Sequence, residues 1–140
     1  MRKKIIFLCT GNSCRSQMAD GFGIKYLKEF NISSAGTHPE NVNPNAIKVM
    51  NEIGIDISNN KSNKINFKQL NKCDYIITLC GNAKDQCLNL IEYKDKHIHW
   101  DIEDPAKYEN NSKEKMDLKY YEVRDNILNK ILLLKKELLK

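Results

Sequence analysis

The sequence predicts an α/β fold with a mainly parallel sheet in a single domain, and three features of the 140-residue chain support these two predictions. Continuous apolar runs at Lys4–Cys9 and Asp74–Cys80 are typical of strands buried on both faces. Segments with helical spacing of apolar residues alternate with such runs, as in strand–helix–strand units. No linker, repeat or abrupt change of composition interrupts the chain. Residues 1–140 are therefore expected to form one domain.

The first half of the chain predicts two helices and a second strand. A loop at Thr10–Arg15 precedes a helix that starts at Ser16. Ile32–Ala35 is predicted as a short strand, closed by Gly36. A second helix follows, with an Asn cap, a Pro in its first turn and a Gly at its end; these residues are Asn43, Pro44 and Gly54. The apolar face of the first helix would consist of Ala19, Phe22, Gly23, Tyr26, Leu27 and Phe30.

The second half predicts one further strand and a long final helix. Ile65–Asn71 is interpreted as a short helix, Asn82–Leu90 as a short helix or a loop, and His97–Trp100 as the last strand. Residues 101–116 are predicted to be a long polar loop. Helical spacing then continues almost to the C-terminus, on the apolar residues Tyr120, Val123, Ile127, Ile131, Leu134 and Leu138.

Composition and charge exclude several classes of protein. Hydrophobic residues make up 41% and charged residues 29% of the chain, which is globular rather than disordered composition. The N-terminal apolar run is too short for a signal peptide or a membrane helix, so a cytoplasmic protein without membrane contact is expected. The net charge of +5 is dispersed rather than arranged in a stripe. Nucleic acid is therefore not indicated as a partner, whereas a small anion is compatible.

The chain contains five cysteines: Cys9, Cys14, Cys73, Cys80 and Cys87. An odd number in a cytoplasmic chain does not suggest a structural disulfide framework, so catalysis, redox chemistry and metal binding stay open. Cys9 and Cys80 end the two strongest predicted strands. Because ligands of parallel sheets bind at the carboxyl ends of the strands, these two cysteines are expected at the functional edge.

The loop that follows the first strand has the pattern Cys-x5-Arg-Ser and predicts an oxyanion cradle. Its residues are Cys9, Thr10, Gly11, Asn12, Ser13, Cys14, Arg15 and Ser16. Gly11 and Asn12 tolerate positive φ, so the backbone can curl with its N–H groups inward, and the following helix adds its positive end. Arg15 offers a planar fork for two oxygens of a tetrahedral anion. The same field, with a hydrogen bond from Ser16, favours a nucleophilic thiolate at Cys9.

Cys80 and Cys87 form a second candidate pair, with six residues between them. A dithiol supplies two electrons when it becomes a disulfide. In a helix the two residues would lie about 10 Å apart, whereas a disulfide needs Cα atoms within about 7 Å, so a helical segment would have to unwind. Two unrelated thiols remain an alternative. A zinc site with His97 or His99 is another, although the spacing is not Cys-x2-Cys.

These motifs resemble those of the low-molecular-weight tyrosine phosphatases, and the string Cys9–Gly21 resembles their thioredoxin-coupled arsenate reductase branch. The resemblance continues, in the family's order, through Ser34–Gly36, Asn43–Ala46, Asp56–Ser58, Thr78–Cys80, His99–Trp100, Asp104–Ala106 and Val123–Asp125. It implies a three-layer fold, with a four-stranded parallel sheet flanked by helices on both faces. It also implies an enzyme that needs no bound cofactor or metal and acts on arsenate. Nothing in the sequence suggests a large exposed interface, so a monomer is expected.

The resemblance further implies a relay of three thiols. Cys9 attacks arsenate, Cys80 attacks Cys9 and releases arsenite, and Cys87 attacks Cys80. Thioredoxin then reduces the disulfide between Cys80 and Cys87. Asp104 would be the general acid that protonates the leaving oxygen, beside Arg15 as the anion ligand. A phosphatase acting on phosphotyrosine or small phosphoesters is one alternative, since it needs the loop and Asp104 but neither Cys80 nor Cys87. A non-catalytic protein that binds an oxyanion or arsenite is another, since it needs neither Asp104 nor ordered thiol exchange.

The resemblance also raises the question of a potassium site. Some members bind potassium behind the loop, and Asn12, Asp20 and Ser34 match positions of that site. Lys61 and Asn63 stand where the family has a hydroxyl and a carboxylate, and a lysine ammonium would compete with the cation. Potassium binding is therefore not expected. Cys14 is interpreted as a small apolar filler and Cys73 as incidental.

Overall fold

The computed structural model describes residues 2–79 and 90–140. Parallel strands in the order β2-β1-β3-β4 form the sheet in this part of the chain. The strands are β1 (Lys4–Cys9), β2 (Asn31–Gly36), β3 (Tyr75–Leu79) and β4 (His97–Trp100). The helices are α1 (Arg15–Tyr26), α2 (Pro44–Asn51), α3 (Phe67–Lys72) and α4 (Lys113–Leu138). The predicted α/β class and parallel sheet are confirmed.

Helices cover both faces of the sheet because alternate residues of β1 point to opposite sides. Ile5 and Phe7 belong to the larger hydrophobic cluster, which α1, α2 and α4 complete. Ile6 and Leu8 belong to the smaller cluster on the other face, to which α3 contributes Leu70. All four β1 side chains are almost fully buried, which explains the unbroken apolar run. The three-layer prediction is confirmed.

Local sequence signals set several helix boundaries. The Asn43 side chain accepts hydrogen bonds from the N–H groups of Asn45 (2.8 Å) and Ala46 (3.3 Å), and Pro44 opens α2. Gly54, at φ 79°, lies in the left-handed region that favours glycine after a helix. Both features were predicted from the sequence.

Two boundaries differ from the prediction. Residues 101–116 are not one loop, because Pro105–Tyr108 forms a 3₁₀ turn and α4 already begins at Lys113. The Ser112 side chain caps α4, and polar residues occupy its first exposed turn, so apolar periodicity is absent there. Helix α1 ends at Tyr26, although Phe30 beyond it is still buried. The expectation for Asn82–Leu90 falls almost entirely outside the described residues.

The order of the strands creates a crevice for a ligand. From β1 the chain moves to β2 on one side, and it then returns across β1 to β3 on the other side. Such a change of direction leaves a crevice outside the carboxyl ends of the strands. Cys9 is the last residue of β1 and therefore lies at this crevice.

Candidate active site

The loop between β1 and α1 turns its carbonyl oxygens away from the crevice. A neighbouring segment, residues 38–43, donates backbone hydrogen bonds to these carbonyls at 2.8 to 2.9 Å: His38 to Thr10, Glu40 to Gly11 and Asn43 to Ser13. In a trans peptide the C=O and the following N–H point in opposite directions. The N–H groups that follow these carbonyls are therefore aimed at the inside of the loop, where an anion would lie.

Asn12 is the residue that lets the loop curl. Its φ is 46°, and it is the only residue of the described chain other than glycine in the left-handed region. Its side-chain Oδ1 accepts from the N–H of Asn63 (2.8 Å), and its carbonyl accepts from Gln17 Nε2 (3.0 Å). Gly11 does not use positive φ, so that part of the sequence prediction was wrong. The well-bonded Asn12 makes the reversal instead.

Gly36 lets the loop lie against β2. A Cβ atom at this position would meet the carbonyl oxygen of Thr10 at 2.6 Å and the backbone nitrogen of Asn12 at 2.7 Å. Both distances are far below normal contact, and both atoms belong to the backbone. The sequence indicated Gly36 as the end of a strand and as part of a family motif, but not this close approach, which comes from tertiary structure.

Cys9 and Ser16 face each other inside the loop. The Sγ of Cys9 lies 2.9 Å from the Oγ of Ser16, and the same Oγ accepts a hydrogen bond from Asn12 Nδ2 (2.8 Å). Since the amide group of Asn12 is the donor there, the hydroxyl proton of Ser16 is free to be donated to the sulfur when Cys9 acts as a thiolate. This arrangement places a hydroxyl beside the sulfur that the sequence pattern proposes as the nucleophile.

Arg15 connects the loop to the segment that carries Asp104. Its guanidinium is buried and donates from Nη1 to the carbonyl of Ile102 (2.9 Å), while Nη2 lies 3.7 Å from Asp104 Oδ2. The other carboxylate oxygen of Asp104 accepts from the N–H of Ala106 (3.0 Å) and so caps the 3₁₀ turn. Residues 87 or more positions apart in sequence thus meet at one place.

A cavity of about 220 Å³ lies over the loop. Its lining includes six of the predicted site residues outside the redox pair: Cys9, Thr10, Gly11, Ser13, Cys14, Arg15, together with the predicted acid Asp104. Asn12 and Ser16 lie buried behind this lining. Three carboxylates also border the cavity, those of Glu40, Asp104 and Glu109. Carboxylates therefore surround the guanidinium of Arg15, and an anion would be held by Arg15 and the inward N–H groups of the loop, not by the charge of the mouth.

The remaining described cysteines are both buried. Cys14 precedes α1, and burial, with smaller effects from Asp104 and Cys9, raises the pKa of its thiol well above the ordinary value. A neutral, inert thiol agrees with the prediction of an apolar filler. Cys73 follows α3 on the opposite face of the sheet from the larger core, and burial raises the pKa of its thiol as well.

The predicted redox pair, Cys80 and Cys87, lies outside the described residues. Cys80 directly follows Leu79, the last residue of β3. The two histidines of the zinc alternative both contact one hydroxyl, since His97 Nε2 and His99 Nδ1 lie 2.8 and 2.7 Å from Thr78 Oγ1. In the described part of the chain, no three Cys, His, Asp or Glu side chains are grouped as metal ligands.

The residues at the family's potassium position do not suit a cation. The Asn12 carbonyl already accepts two hydrogen bonds, from Gln17 and Ser62, and its Oδ1 is also occupied. Asp20 accepts from Ser34 Oγ (2.7 Å), and burial raises the pKa of its carboxyl. Lys61 is exposed and contacts Gln17 only through its carbonyl (3.3 Å). The engaged oxygens, rather than the Lys61 ammonium invoked from the sequence, argue against potassium.

Comparison with known proteins places the chain in a family. A model of the low molecular weight phosphotyrosine protein phosphatases matches residues 4–140. The chain belongs to this family. No helix among the described residues is both long and apolar enough to cross a membrane.

Relatives within the family carry the name arsenate reductase. That of Shouchella clausii strain KSM-K16 is 52% identical over 129 residues, or 91% of each chain. That of Oceanobacillus iheyensis is 50% identical over 133 residues, or 94% of each chain. A solved structure of an arsenate reductase in a phosphate-binding state aligns with a TM-score of 0.70 and 36% identity. The alignment covers 93% of the present chain and 97% of the arsenate reductase. The predicted resemblance is confirmed.

Sequence reasoning missed several residues of the site. Glu40 and Glu109 border the cavity, and Asn43, identified as a helix cap within a family motif but not as a site residue, lines it too. Tyr120, identified only as a core residue, donates to Glu109 at 2.8 Å. The contact joins two residues of the same C-terminal region, but no motif marks it. Only the packing of α4 against the 3₁₀ turn reveals it.

Proposed function

We propose that this protein reduces arsenate to arsenite by a relay of three thiols that thioredoxin regenerates. The observation that carries the proposal is the cavity that unites Cys9, Arg15 and Asp104 in a chain about half identical to arsenate reductases. A site for a tetrahedral oxyanion with a thiol at its base suits an anion of this size and charge. The function is detoxification of arsenic.

In the first step Cys9 captures the anion. The oxygens of arsenate accept hydrogen bonds from the inward N–H groups of the loop and from the guanidinium of Arg15. Cys9 Sγ forms a bond to arsenic while one arsenic–oxygen bond breaks. Asp104 Oδ1 is held by Ala106, so Oδ2 is the oxygen that delivers a proton to the departing group, which leaves as water.

Two thiol exchanges complete the reduction. Cys80 Sγ bonds to Cys9 Sγ, the arsenic–sulfur bond breaks, and its electron pair stays on arsenic, which leaves as arsenite. Cys87 Sγ then bonds to Cys80 Sγ and frees Cys9 as a thiolate. The dithiol of thioredoxin reduces the disulfide between Cys80 and Cys87 and is itself oxidised to a disulfide. All electrons thus come from thiols, and the scheme needs no bound cofactor or metal.

The proposal extends to the setting in which the enzyme works. Thioredoxin and its reductase operate in reducing compartments, where exposed catalytic thiols persist, so we place the protein in the cytoplasm. We expect the active form to be a monomer of one domain, residues 1–140. Size-exclusion chromatography with light scattering tests this; a mass near 16.3 kDa is expected.

The reductant is tested by coupled turnover. Arsenate-dependent NADPH consumption is measured with thioredoxin and thioredoxin reductase, and separately with glutathione, glutaredoxin and glutathione reductase. We expect turnover only with the first system. Turnover with glutaredoxin alone would overturn the assignment of thioredoxin, and Cys9→Ser supplies the inactive baseline in both systems.

The relay is tested by paired assays on one set of variants. Cys80→Ser with Cys87→Ser should abolish arsenite formation but keep slow hydrolysis of p-nitrophenyl phosphate, because water can resolve a phosphocysteine. Cys87→Ser alone should complete about one turnover and accumulate a Cys9–Cys80 disulfide, detected by peptide mapping. Multiple turnovers by the Cys87→Ser protein with thioredoxin would contradict the role of Cys87. Loss of hydrolysis in the folded double variant would contradict a shared site.

A further inference from the structure

One carboxylate oxygen at the cavity joins three parts of the fold. Glu109 Oε1 accepts hydrogen bonds from Tyr120 Oη (2.8 Å), Asn43 Nδ2 (3.1 Å) and Asn45 Nδ2 (3.2 Å). These bonds hold the pKa of the Glu109 carboxyl below its ordinary range, with Asn43 as the largest cause. Glu109 is therefore an ionised acceptor. Its donors are Asn45 of α2, Asn43, which caps α2, and Tyr120 of α4.

Other contacts hold the Asn43 and Tyr120 donors in place beside Glu109. The Oδ1 atom of Asn43 already caps α2, which leaves Nδ2 as the group that faces Glu109. The backbone N–H of Asn43 also donates to the carbonyl of Ser13 in the anion-binding loop (2.9 Å). Tyr120 is completely buried in the larger core. Burial raises the pKa of its hydroxyl, so it stays protonated and donates.

Glu109 ends the segment that carries Asp104. Asp104 caps the 3₁₀ turn Pro105–Tyr108, and Glu109 is the next residue. The other end of this segment is held by Arg15, which donates to the carbonyl of Ile102. The segment is thus held at Ile102, two residues before Asp104, and at Glu109, five residues after it. Asn43, which donates to Glu109, also donates to the anion-binding loop.

We infer that Tyr120 and Glu109 are positioning residues that hold Asp104 over the cavity for proton donation to the leaving group. The inference rests on the proposed role of Asp104 as general acid. Neither residue needs to touch the substrate for this role. Tyr120 acts through Glu109, and Glu109 acts through the 3₁₀ turn that Asp104 caps.

The test uses aryl phosphates that differ in how much acid assistance their leaving groups need. Phenol, with a pKa of about 10, needs a proton on departure, whereas 2,4-dinitrophenol leaves without one. For Tyr120→Phe, which removes only a hydroxyl, we expect kcat/KM for phenyl phosphate to fall about tenfold, a fraction of what a general acid contributes. The value for 2,4-dinitrophenyl phosphate should change less than about twofold.

Variants with a matched chemical change define the controls. Tyr121→Phe removes the hydroxyl of the adjacent residue, which faces Glu52 at 3.4 Å on the surface, and should leave both rates unchanged. Glu109→Ala should reproduce the Tyr120→Phe pattern. Glu109→Gln keeps the Oε1 acceptor and should restore most of the phenyl phosphate rate. Thermal unfolding followed by circular dichroism confirms that each variant is folded.

The outcomes separate this inference from the proposed function. Asp104→Asn should show the same selective loss as Tyr120→Phe, but larger. If Asp104→Asn slows both substrates equally, the role of Asp104 in the proposed function fails. If Asp104→Asn is selective but Tyr120→Phe and Glu109→Ala are not, Asp104 keeps its role and the positioning inference alone is overturned.

Discussion

A single hydroxyl links the geometry of the anion-binding loop to the reactivity of its cysteine. Ser16 Oγ accepts from Asn12 Nδ2 and lies 2.9 Å from Cys9 Sγ, to which its hydroxyl can donate when the sulfur is a thiolate. A hydrogen bond to a charged group contributes about 1.5–3 kcal/mol, more than one between neutral groups. The orientation of Asn12 thus decides how well the thiolate is stabilised.

Replacing that hydroxyl should make Cys9 less reactive. For Ser16→Ala we expect the rate of Cys9 alkylation by iodoacetamide at pH 6 to fall about tenfold, since the thiolate loses one charged hydrogen bond. Mass spectrometry of the Cys9 peptide measures the rate. Ser112→Ala is the control, because it removes the cap of α4 without contacting the loop. An unchanged rate in Ser16→Ala would contradict the assigned direction of the hydrogen bond.

Asp20 gives the stability a specific dependence on pH. Burial raises the pKa of its carboxyl above the ordinary 3.8, so the folded protein binds this proton more tightly than the unfolded chain. The free energy of unfolding therefore decreases as the pH rises from about 3.8 through the raised value. Asp20→Asn should have a higher Tm than the original protein at pH 7, and the difference should vanish below pH 4. A lower Tm for Asp20→Asn at pH 7 would contradict a net cost of burying this carboxylate.

The same position tests the absence of a potassium site. Equal concentrations of KCl and NaCl should give the same Tm, because the carbonyl and Oδ1 atoms of Asn12 are engaged in hydrogen bonds. A ligand that binds only the folded state would raise the Tm with concentration. A rise in KCl that NaCl does not produce, and that Asp20→Asn removes, would establish the site.

At the scale of elements, the contact between β2 and the anion-binding loop depends on Gly36. In Gly36→Ala the new methyl group would overlap the backbone of Thr10 and Asn12. The loop has to shift, and displacement of a reacting group by about 1 Å costs about a hundredfold in rate. We expect kcat for arsenate reduction and for p-nitrophenyl phosphate hydrolysis to fall together by about that factor.

Gly54→Ala is the matched control for Gly36→Ala. Its φ of 79° makes an alanine strained, but nothing lies within 4 Å of the added Cβ. We expect a stability loss of about 1–2 kcal/mol with unchanged kcat. If both glycine variants lose activity to the same degree, the effect of Gly36 is general destabilisation rather than displacement of the loop.

At the scale of the whole molecule, α4 should unfold together with the sheet. Ile127 is fully buried in the larger core, whereas Leu133 on the same helix is 59% exposed. Ile127→Ala should cost about 2–5 kcal/mol of unfolding free energy in denaturant titrations. Leu133→Ala should stay within about 0.5 kcal/mol.

If the chain forms a single domain, as proposed, it should unfold in one cooperative transition. Trp100, the only tryptophan, is buried on β4 with its ring centroid 5.9 Å from that of Phe7. Its fluorescence therefore reports the sheet, and far-ultraviolet circular dichroism reports mainly the helices. The two curves should coincide in every variant. Separate midpoints would show that α4 is not part of the same folding unit.

Local sequence predicted the strands, most helices and the loop proposed to bind the anion. Buried apolar runs, an Asn-Pro helix start and the Cys-x5-Arg-Ser spacing are all short-range signals, so they can be interpreted without knowing the fold. The 3₁₀ turn at Pro105–Tyr108 and the start of α4 were missed because exposed polar turns carry no apolar period. The family resemblance extended the prediction to Asp104.

Contacts between distant residues were decided only by the tertiary structure. Gly36 is required by a neighbouring backbone, Asn12 rather than Gly11 reverses the loop, and Glu109 collects donors from two helices. None of these roles has a spacing in the sequence, because each depends on how separate elements pack. The sequence by itself determined which residues can do the chemistry. The packing of α2, α4 and the 3₁₀ turn around the loop determined where those residues are held.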